Sequence, residues 1–190
     1  MMSDKAIIIL DVDEVLNSFG QQLADVIRPS TTSAEIESLK NWDIFLLFNE
    51  EEMKQVHKLL SEVDFWANLL PRETSQKTVD QLRSEGHEII FCTAPWPYCF
   101  GWETTRRDWL KKHYNADGRE DLIITSRKDL VYGDMFVDDK PESVTKWQNR
   151  WCTYDTFNCH GFLYETPSNS FSDVWPRVRV INEQWELVKK

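Results

Sequence analysis

The sequence predicts an α/β fold with a mostly parallel sheet. Short apolar runs alternate with longer segments that have the periodicity of amphipathic helices, an order typical of strand–helix–strand units. Two of the apolar runs end in acidic pairs, which are Asp11 with Asp13 and Asp138 with Asp139. The carboxyl ends of parallel strands lie at one edge of a sheet, so we expect the two pairs to form a common site there.

The elements can be predicted in chain order. The first strand is Ile7–Leu10, and residues 17–64 after it show helical patterns without a clear strand. Within that segment Asn49 is a suitable N-cap for a helix over Glu51–Val63, and a further helix is predicted over Thr74–Glu85, directly before a glycine. The later elements are a strand Glu88–Cys92, a helix Thr104–Tyr114, strands Leu122–Thr125 and Met135–Val137, a helix Glu142–Arg150 and a strand Gly161–Tyr164.

The end of the chain is predicted to be helical. Pro176 suits the first turn of a helix, because its missing N–H would have no partner there. The apolar residues that follow recur at helical spacing: Val178, Ile181, Trp185 and Val188. We therefore expect a closing helix from Pro176 onward.

Composition limits the possible partners. A chain of 190 residues fits one domain with a small insertion, and its net charge of −10 argues against binding to nucleic acid or to an anionic membrane surface. A phosphate substrate is still possible, because a divalent cation in the site would invert the local field. We see no signal-peptide pattern and no apolar run of transmembrane length, and the four cysteines form no C-x-x-C pair. These features predict a cytoplasmic protein with reduced thiols, no membrane contact and no zinc site.

Five residues have side chains suited to phosphoryl transfer. Asp11 could attack phosphorus, and Asp13 could serve as acid and base. Thr93 could donate a hydrogen bond to a phosphoryl oxygen, Lys128 could neutralise its charge, and the carboxylate of Asp138 is a hard ligand of the kind that Mg²⁺ prefers. Each residue alone has an ordinary structural explanation, such as a turn or a surface lysine. Their order along one chain, at successive strand ends, favours a catalytic set.

This set resembles the motifs of haloacid dehalogenase (HAD) superfamily phosphatases and, more narrowly, those of the 5′(3′)-deoxyribonucleotidase family. The resemblance rests on the first motif D-x-D-x-V at residues 11–15, on Cys92–Pro95, and on Lys128 ten residues before Asp138 in the segment Asp138–Pro141. It also rests on aromatic residues: Phe19 after the first motif, and Phe65–Trp66 before Leu69–Leu70–Pro71.

The resemblance implies a fold, a cofactor and a reaction. The fold would be a Rossmann-like HAD core of residues 1–16 and 65–190, with a small helical cap at 17–64. Mg²⁺ would be held by Asp11, Asp138 and the backbone carbonyl of Asp13, and Asp139 would orient a metal-bound water. The reaction would be hydrolysis of (deoxy)nucleoside monophosphates through an aspartyl-phosphate on Asp11. Substrate would be bound by Phe19, Phe65, Trp66, Thr93, Ala94 and Lys128.

The chain departs from the family pattern at two motif positions. Glu14 stands where the family usually has glycine, and it adds negative charge beside the predicted site. Ala94 stands where the family has a hydroxyl residue, so one possible phosphate donor is missing. Both departures bear on substrate preference more than on the reaction.

Other functions stay open at this point. The chain could be a HAD phosphatase for another small phosphate ester, or it could remove 3′-phosphates from nucleic-acid ends, which its acidity disfavours. It could also be a non-catalytic binding module, although such a module would have no need of both Asp11 and Asp13. The nine tryptophans would allow a homodimer if some of them lie at the surface.

Overall fold

A seven-stranded sheet forms the centre of the computed structural model, which describes residues 5–152 and 160–189. The strands are β1 (Ile7–Leu10), β2 (Glu88–Thr93), β3 (Leu122–Ile124), β4 (Met135–Asp138), β5 (His160–Tyr164), β6 (Arg177–Ile181) and β7 (Gln184–Val188). Their order in the sheet is β3-β2-β1-β4-β5-β6-β7. All neighbouring pairs are parallel except β6 with β7. The predicted α/β fold with a mostly parallel sheet is confirmed.

Helices and short 3₁₀ turns connect the strands. The helices are α1 (Phe19–Ile27), α2 (Ser33–Ser38), α3 (Glu50–Leu60), α4 (Val63–Ala67), α5 (Glu73–Ser84), α6 (Trp102–Tyr114) and α7 (Pro141–Trp151). The 3₁₀ turns are Ile44–Leu47, Lys128–Leu130 and Pro167–Asn169. The four helices α1 to α4 and the turn Ile44–Leu47 all lie between β1 and α5, and we call residues 17–67 the helical insertion. The helical character predicted for residues 17–64 is confirmed, although α4 runs past residue 64.

The core lies on both faces of the sheet because strand side chains alternate between faces. In β1, Ile8 and Leu10 join a large apolar cluster with residues of α1, α3, α5 and α6. Ile9 points the other way and packs in a smaller cluster with Val144 and Trp147 of α7. Burial on both faces explains why the central strands read as continuous apolar runs in the sequence.

Local sequence signals account for the helix ends. Asn49 accepts hydrogen bonds from the N–H groups of Glu51 and Glu52, both at 3.0 Å, and Glu52 accepts one from the N–H of Asn49 at 2.9 Å. This capping box starts α3, as predicted, although the helix ends at Leu60 rather than Val63. Gly86 follows α5 with a φ of +93°, a left-handed conformation that favours glycine.

The predicted closing helix is wrong, because residues 177–188 form an antiparallel hairpin. Val180 lies opposite Trp185, and the two-residue turn between the strands is Asn182–Glu183, with φ of +49° and +62°. Positive φ at both turn residues is the geometry that matches the twist of a hairpin. The apolar spacing fits either structure, and pairing of β6 with β5 in the sheet selects the strand.

Candidate active site

Three carboxylates meet at the carboxyl ends of β1 and β4. Asp11 directly follows β1, and its N–H donates to the carbonyl of Val137 at 2.9 Å, which fixes it level with Asp138 at the end of β4. Asp139 completes the group. One oxygen from each of the three side chains lies within 4.8 Å of the others, and all three residues are buried. The expected meeting of Asp11 and Asp138 is confirmed, and Asp139 lies with them.

Lys128 provides a buried positive charge in this cluster. Its Nζ lies 2.6 Å from Asp11 Oδ1 and 2.7 Å from Asp138 Oδ2. The Asp11 Oδ1 atom also accepts the N–H of Val12 at 2.7 Å, which leaves Oδ2 without a hydrogen-bond partner among the described residues. One oxygen of Asp11 is therefore fixed in place, and the other is available to a reacting group.

Negative charge is in excess here. Burial raises the pKa of Asp11 to about 7; Asp138 adds to the increase and Lys128 opposes it. Burial, followed by the charges of Asp138 and Asp11, raises the pKa of Asp139 well above its ordinary value. Burial lowers the pKa of Lys128, but attraction to the two carboxylates outweighs burial and the net pKa is raised. The lysine is thus held charged, and it does not fully compensate the three carboxylates.

The donor set fits a hard divalent cation. Three buried carboxylates within bridging distance are the kind of ligands that Mg²⁺ takes with waters. Burial, and after it repulsion between the carboxylates, raises the pKa values of Asp11 and Asp139, and a bound cation would favour their charged forms. Among the described residues no cysteine or histidine joins the group, so a softer metal has no matching ligands here.

Asp13 lies in a different environment from the cluster. Arg106 Nη2 contacts both of its oxygens, at 2.9 and 2.8 Å, and Asn17 Nδ2 donates to Oδ1 at 3.0 Å. The Asp13 side chain keeps 27% of its surface exposed, whereas that of Arg106 keeps 1%. The carboxylate is therefore held firmly on one side and open to the pocket on the other.

Arg106 is surrounded by indole rings. Its guanidinium carbon lies 5.6 Å from the ring centroid of Trp66, 5.2 Å from that of Trp102 and 5.8 Å from that of Trp109. Its Nε and Nη1 have no hydrogen-bond partner among the described residues. Cation–π attraction and the single ion pair to Asp13 therefore stabilise this buried charge.

Thr93 and Ala94 lie at the neighbouring strand end. Thr93 is the last residue of β2, is 1% exposed, and its carbonyl accepts the N–H of Thr125 at 2.9 Å. Both residues line the same pocket as the carboxylates. Cys92, one residue earlier, has its pKa raised to about 12 by burial, so it is a poor nucleophile at neutral pH.

A cavity of about 590 Å³ lies above the carboxylates, Thr93 and Lys128, and we call these residues its floor. Glu14, Arg72 and Lys140 of the core also line this cavity. The helical insertion contributes the opposite wall: Phe19, Gly20, Gln21, Ser33, Ile36, Trp42, Ile44 and Phe45. Lys140 Nζ lies 3.8 Å from the ring centroid of Trp42, a contact that joins core and insertion at the pocket. The volume suits a small organic phosphate.

The predicted aromatic contacts divide into two groups. Phe19 lines the pocket, but Phe65 and Trp66 do not. Trp66 is only 4% exposed and stacks behind Phe19 with centroids 5.5 Å apart, and Phe65 contacts the edges of both rings. The pocket therefore offers no direct contact between substrate and Phe65 or Trp66. Their rings instead support Phe19 from behind.

Sequence patterns did not reveal several residues that shape the site. Arg106 lies on α6, 93 residues from its partner Asp13. Asn169 is fully buried and donates to the carbonyl of Asp139 at 2.7 Å, which holds the end of the acidic pair. Its only local signal is the Thr166-x-x-Asn169 capping box. Contacts between residues far apart in sequence carry no such local signal.

Fold and site together define a HAD-like hydrolase that acts on phosphoric monoesters. The family model described as 5′ nucleotidase, deoxy (Pyrimidine), cytosolic type C protein matches residues 5–184. The chain belongs to this nucleotidase family, as its motifs indicated.

Curated relatives agree with this assignment. A Bordetella pertussis protein provisionally assigned as a 5′(3′)-deoxyribonucleotidase is 24% identical over 175 residues, 90% of each chain. The 5′(3′)-deoxyribonucleotidase of Clostridium acetobutylicum is 21% identical over 150 residues, which cover 77% of this chain and 79% of that one.

A solved structure supports the fold. A haloacid dehalogenase-like hydrolase of Bacteroides fragilis, itself provisionally assigned, superposes with a TM-score of 0.52 at 10% identity. The match covers 95% of this chain and 99% of that one. Among the described residues, no helix has both the length and the apolar character needed to span a bilayer.

Proposed function

We propose that this phosphatase is a Mg²⁺-dependent 5′(3′)-deoxyribonucleotidase that works through an aspartyl-phosphate. The observation that carries the proposal is the buried cluster of Asp11, Asp138 and Asp139 with Lys128, at the floor of a pocket with an aromatic wall. Family membership and the named relatives support the nucleotide substrate. The base, the sugar and the phosphate position are left to experiment.

In the first step Asp11 Oδ2 attacks phosphorus and the bond from phosphorus to the ester oxygen breaks. Lys128 holds Asp11 Oδ1 and supplies positive charge beside the transferring group. Thr93, at the end of β2, is positioned to donate to a phosphoryl oxygen. Asp13 in its protonated form gives its proton to the leaving alkoxide, so that a neutral alcohol departs.

In the second step water attacks phosphorus of the aspartyl-phosphate and regenerates Asp11. Asp13, now a carboxylate, accepts the proton from this water and returns to its starting form. The contact with Arg106 is made by the carboxylate, which is the form that accepts a proton. Free phosphate is the product, and the exposed side of Asp13 faces the pocket from which the water comes.

Asp11, Asp138 and the Asp13 carbonyl would hold Mg²⁺, with Asp139 contributing directly or through a water. When bound, the ion supplies Lewis-acid stabilisation of the phosphoryl oxygens and offsets the excess of negative charge. Lys128 alone cannot offset the excess of negative charge, because its ammonium already pairs with two carboxylates.

Residues 17–64 are proposed to act as a cap that covers the reacting groups. This segment contributes Phe19, Trp42 and Phe45 to the wall opposite the carboxylates, and aromatic faces of this kind suit a nucleobase. Trp66 and Phe65 would act indirectly by holding the Phe19 ring. A closed cap would exclude bulk water from the intermediate.

The first test is phosphate release from a panel of 5′- and 3′-nucleoside monophosphates, in deoxy and ribo forms, with Mg²⁺ or with EDTA. Wild type should turn over deoxynucleotides selectively, and only with metal. The Asp11→Asn variant is the matched control, and acid-quenched wild type should retain radiolabelled phosphate that this variant lacks. Turnover of p-nitrophenyl phosphate but of no nucleotide would overturn the substrate. Absence of turnover of every ester would instead favour a binding module.

A further inference from the structure

Glu14 stands out because it adopts a conformation that its residue type disfavours. Its φ of +67° lies in the left-handed region, where a glycine would be unstrained. The side chain nevertheless contacts two partners and is only 18% exposed. A strained backbone with a well-held side chain suggests that the carboxylate has a structural task.

The first partner is the start of α1. Glu14 Oε1 accepts a hydrogen bond from the N–H of Gly20, in the first turn of that helix. Ser18, the N-cap residue, makes no side-chain capping bond, and α1 has no acidic residue in its first turn. Asn17 Oδ1 accepts the N–H of Phe19 at 2.9 Å, and Glu14 supplies from the core a second acceptor and the negative charge that a helix N-terminus favours.

The second partner is Arg72, where the chain returns from the helical insertion. Arg72 Nη2 lies 3.2 Å from Glu14 Oε2, and its Nε donates to the carbonyl of Asn17 at 3.0 Å. The Arg72 backbone N–H donates to the carbonyl of Leu16 at 2.8 Å. Its guanidinium carbon also lies 5.9 Å from the ring centroid of Tyr164, on core strand β5. Arg72 thus connects the outgoing chain, the returning chain and the core.

Gly20 is matched to this arrangement. A Cβ at this position would lie 2.7 Å from Glu14 Oε1, closer than such atoms approach, and 3.2 Å from Ile44 Cγ1. Glycine inside a helix is itself unfavourable, so two residues accept a local penalty at the same contact. Glu14, Gly20 and Arg72 all line the pocket.

We propose that Glu14 is a positioning residue that clasps both ends of the helical insertion to the core. It does so through the N–H of Gly20 where the insertion begins and through Arg72 where the chain returns, and thereby fixes the pocket wall. These contacts set the position of the wall whatever the substrate is. Loss of the clasp should loosen the insertion and weaken substrate binding, while the reacting groups stay in place.

The test is a double-mutant cycle between Glu14→Gly and Gly20→Ala. Each single variant should raise hydrogen exchange of the amides of residues 16–20, Leu70 and Arg72 about ten-fold, and should raise KM by a similar factor with little change in kcat. In the Glu14→Gly background, Gly20→Ala should have a much smaller effect than in wild type, because the oxygen that it would displace is gone and only the contact with Ile44 remains. Glu14→Gln keeps the acceptor for Gly20 but not the charge for Arg72, so it should fall between wild type and Glu14→Gly.

The matched control is Glu51→Gln, which breaks an exposed ion pair with Lys54 inside the insertion. It should leave hydrogen exchange at the two ends of the insertion unchanged. Additive effects of the two clasp variants, or wild-type exchange in Glu14→Gly, would overturn the proposal. Hydrogen exchange is measured without substrate, so the clasp can stand even if no nucleotide is hydrolysed. A KM effect without an exchange effect would mean that Glu14 acts on substrate by charge, and would also overturn it.

Discussion

The two acidic pairs of this protein look alike in sequence but differ in environment. At the tip of β1, Asp11 is buried beside Lys128, while Asp13 is partly exposed and paired with Arg106. At the tip of β4, both Asp138 and Asp139 are buried with Asp11, and Asp138 shares the ammonium of Lys128 with Asp11. The two side chains at β1 have different partners, Lys128 and Arg106, whereas both side chains at β4 lie in one cluster. Surroundings, more than residue type, distinguish the roles that we propose for these four carboxylates.

The largest effect should separate Asp11 from Asp139. Asp11→Asn removes the proposed nucleophile, so turnover should fall by at least about 10⁴-fold, while Asp139→Asn should lower it by about 10- to 100-fold. Steady-state phosphate release at saturating metal measures both. If the two variants are equally impaired, the two tips do not have different roles.

A second comparison tests Asp13 as the proton donor. Asp13→Asn should lower kcat about 10²- to 10⁴-fold on a nucleotide, whose alkoxide needs a proton to leave. Formation of the phospho-enzyme from p-nitrophenyl phosphate should suffer much less, because its leaving group is stable without a proton. Pre-steady-state bursts of nitrophenol report that step. An equal loss with both esters would argue against the acid role.

The ion pair at the β1 tip can be weakened by Arg106→Lys. Lysine keeps the positive charge, but it lacks the planar guanidinium that contacts both oxygens of Asp13 and lies among the indole rings. We therefore expect about a ten-fold loss of kcat and a lower melting temperature. The Arg107→Lys variant, on the exposed face of the same helix, is the control. Wild-type kcat in Arg106→Lys would show that Asp13 is positioned without this contact.

The smallest effect concerns stability and pH. Because the folded protein raises the pKa of Asp11 to about 7, above the ordinary value of 3.8, its proton is bound more tightly in the folded state. Stability from this group is present at pH values below its ordinary pKa and is lost as pH rises toward about 7. Metal-free wild type should therefore melt at lower temperature at pH 8 than at pH 5.

The variant Asp11→Asn should lose less stability over the same range, with a shift of about 2–4 °C in melting temperature for each kcal/mol. Calorimetry in EDTA measures both proteins. A variant that follows the wild-type pH profile would show that Asp11 is not the group responsible, and added Mg²⁺ should reduce the wild-type loss at pH 8.

Local patterns in the sequence were enough to place three of the proposed site residues at strand ends. Asp11, Thr93 and Asp138 each follow or end an apolar run, and short-range pattern is enough to place such residues at a strand tip. The capping box at Asn49 and the left-handed glycine at Gly86 were also readable, because both depend on neighbours within four residues.

Tertiary structure decided what local pattern leaves open. Residues 177–188 have apolar spacing that suits a helix, and pairing with β5 made them a hairpin. Arg106 meets Asp13 across 93 residues, and Arg72 meets Glu14 across 58. Such partners are chosen by burial and charge compensation in the folded chain, and no short window of sequence contains both members.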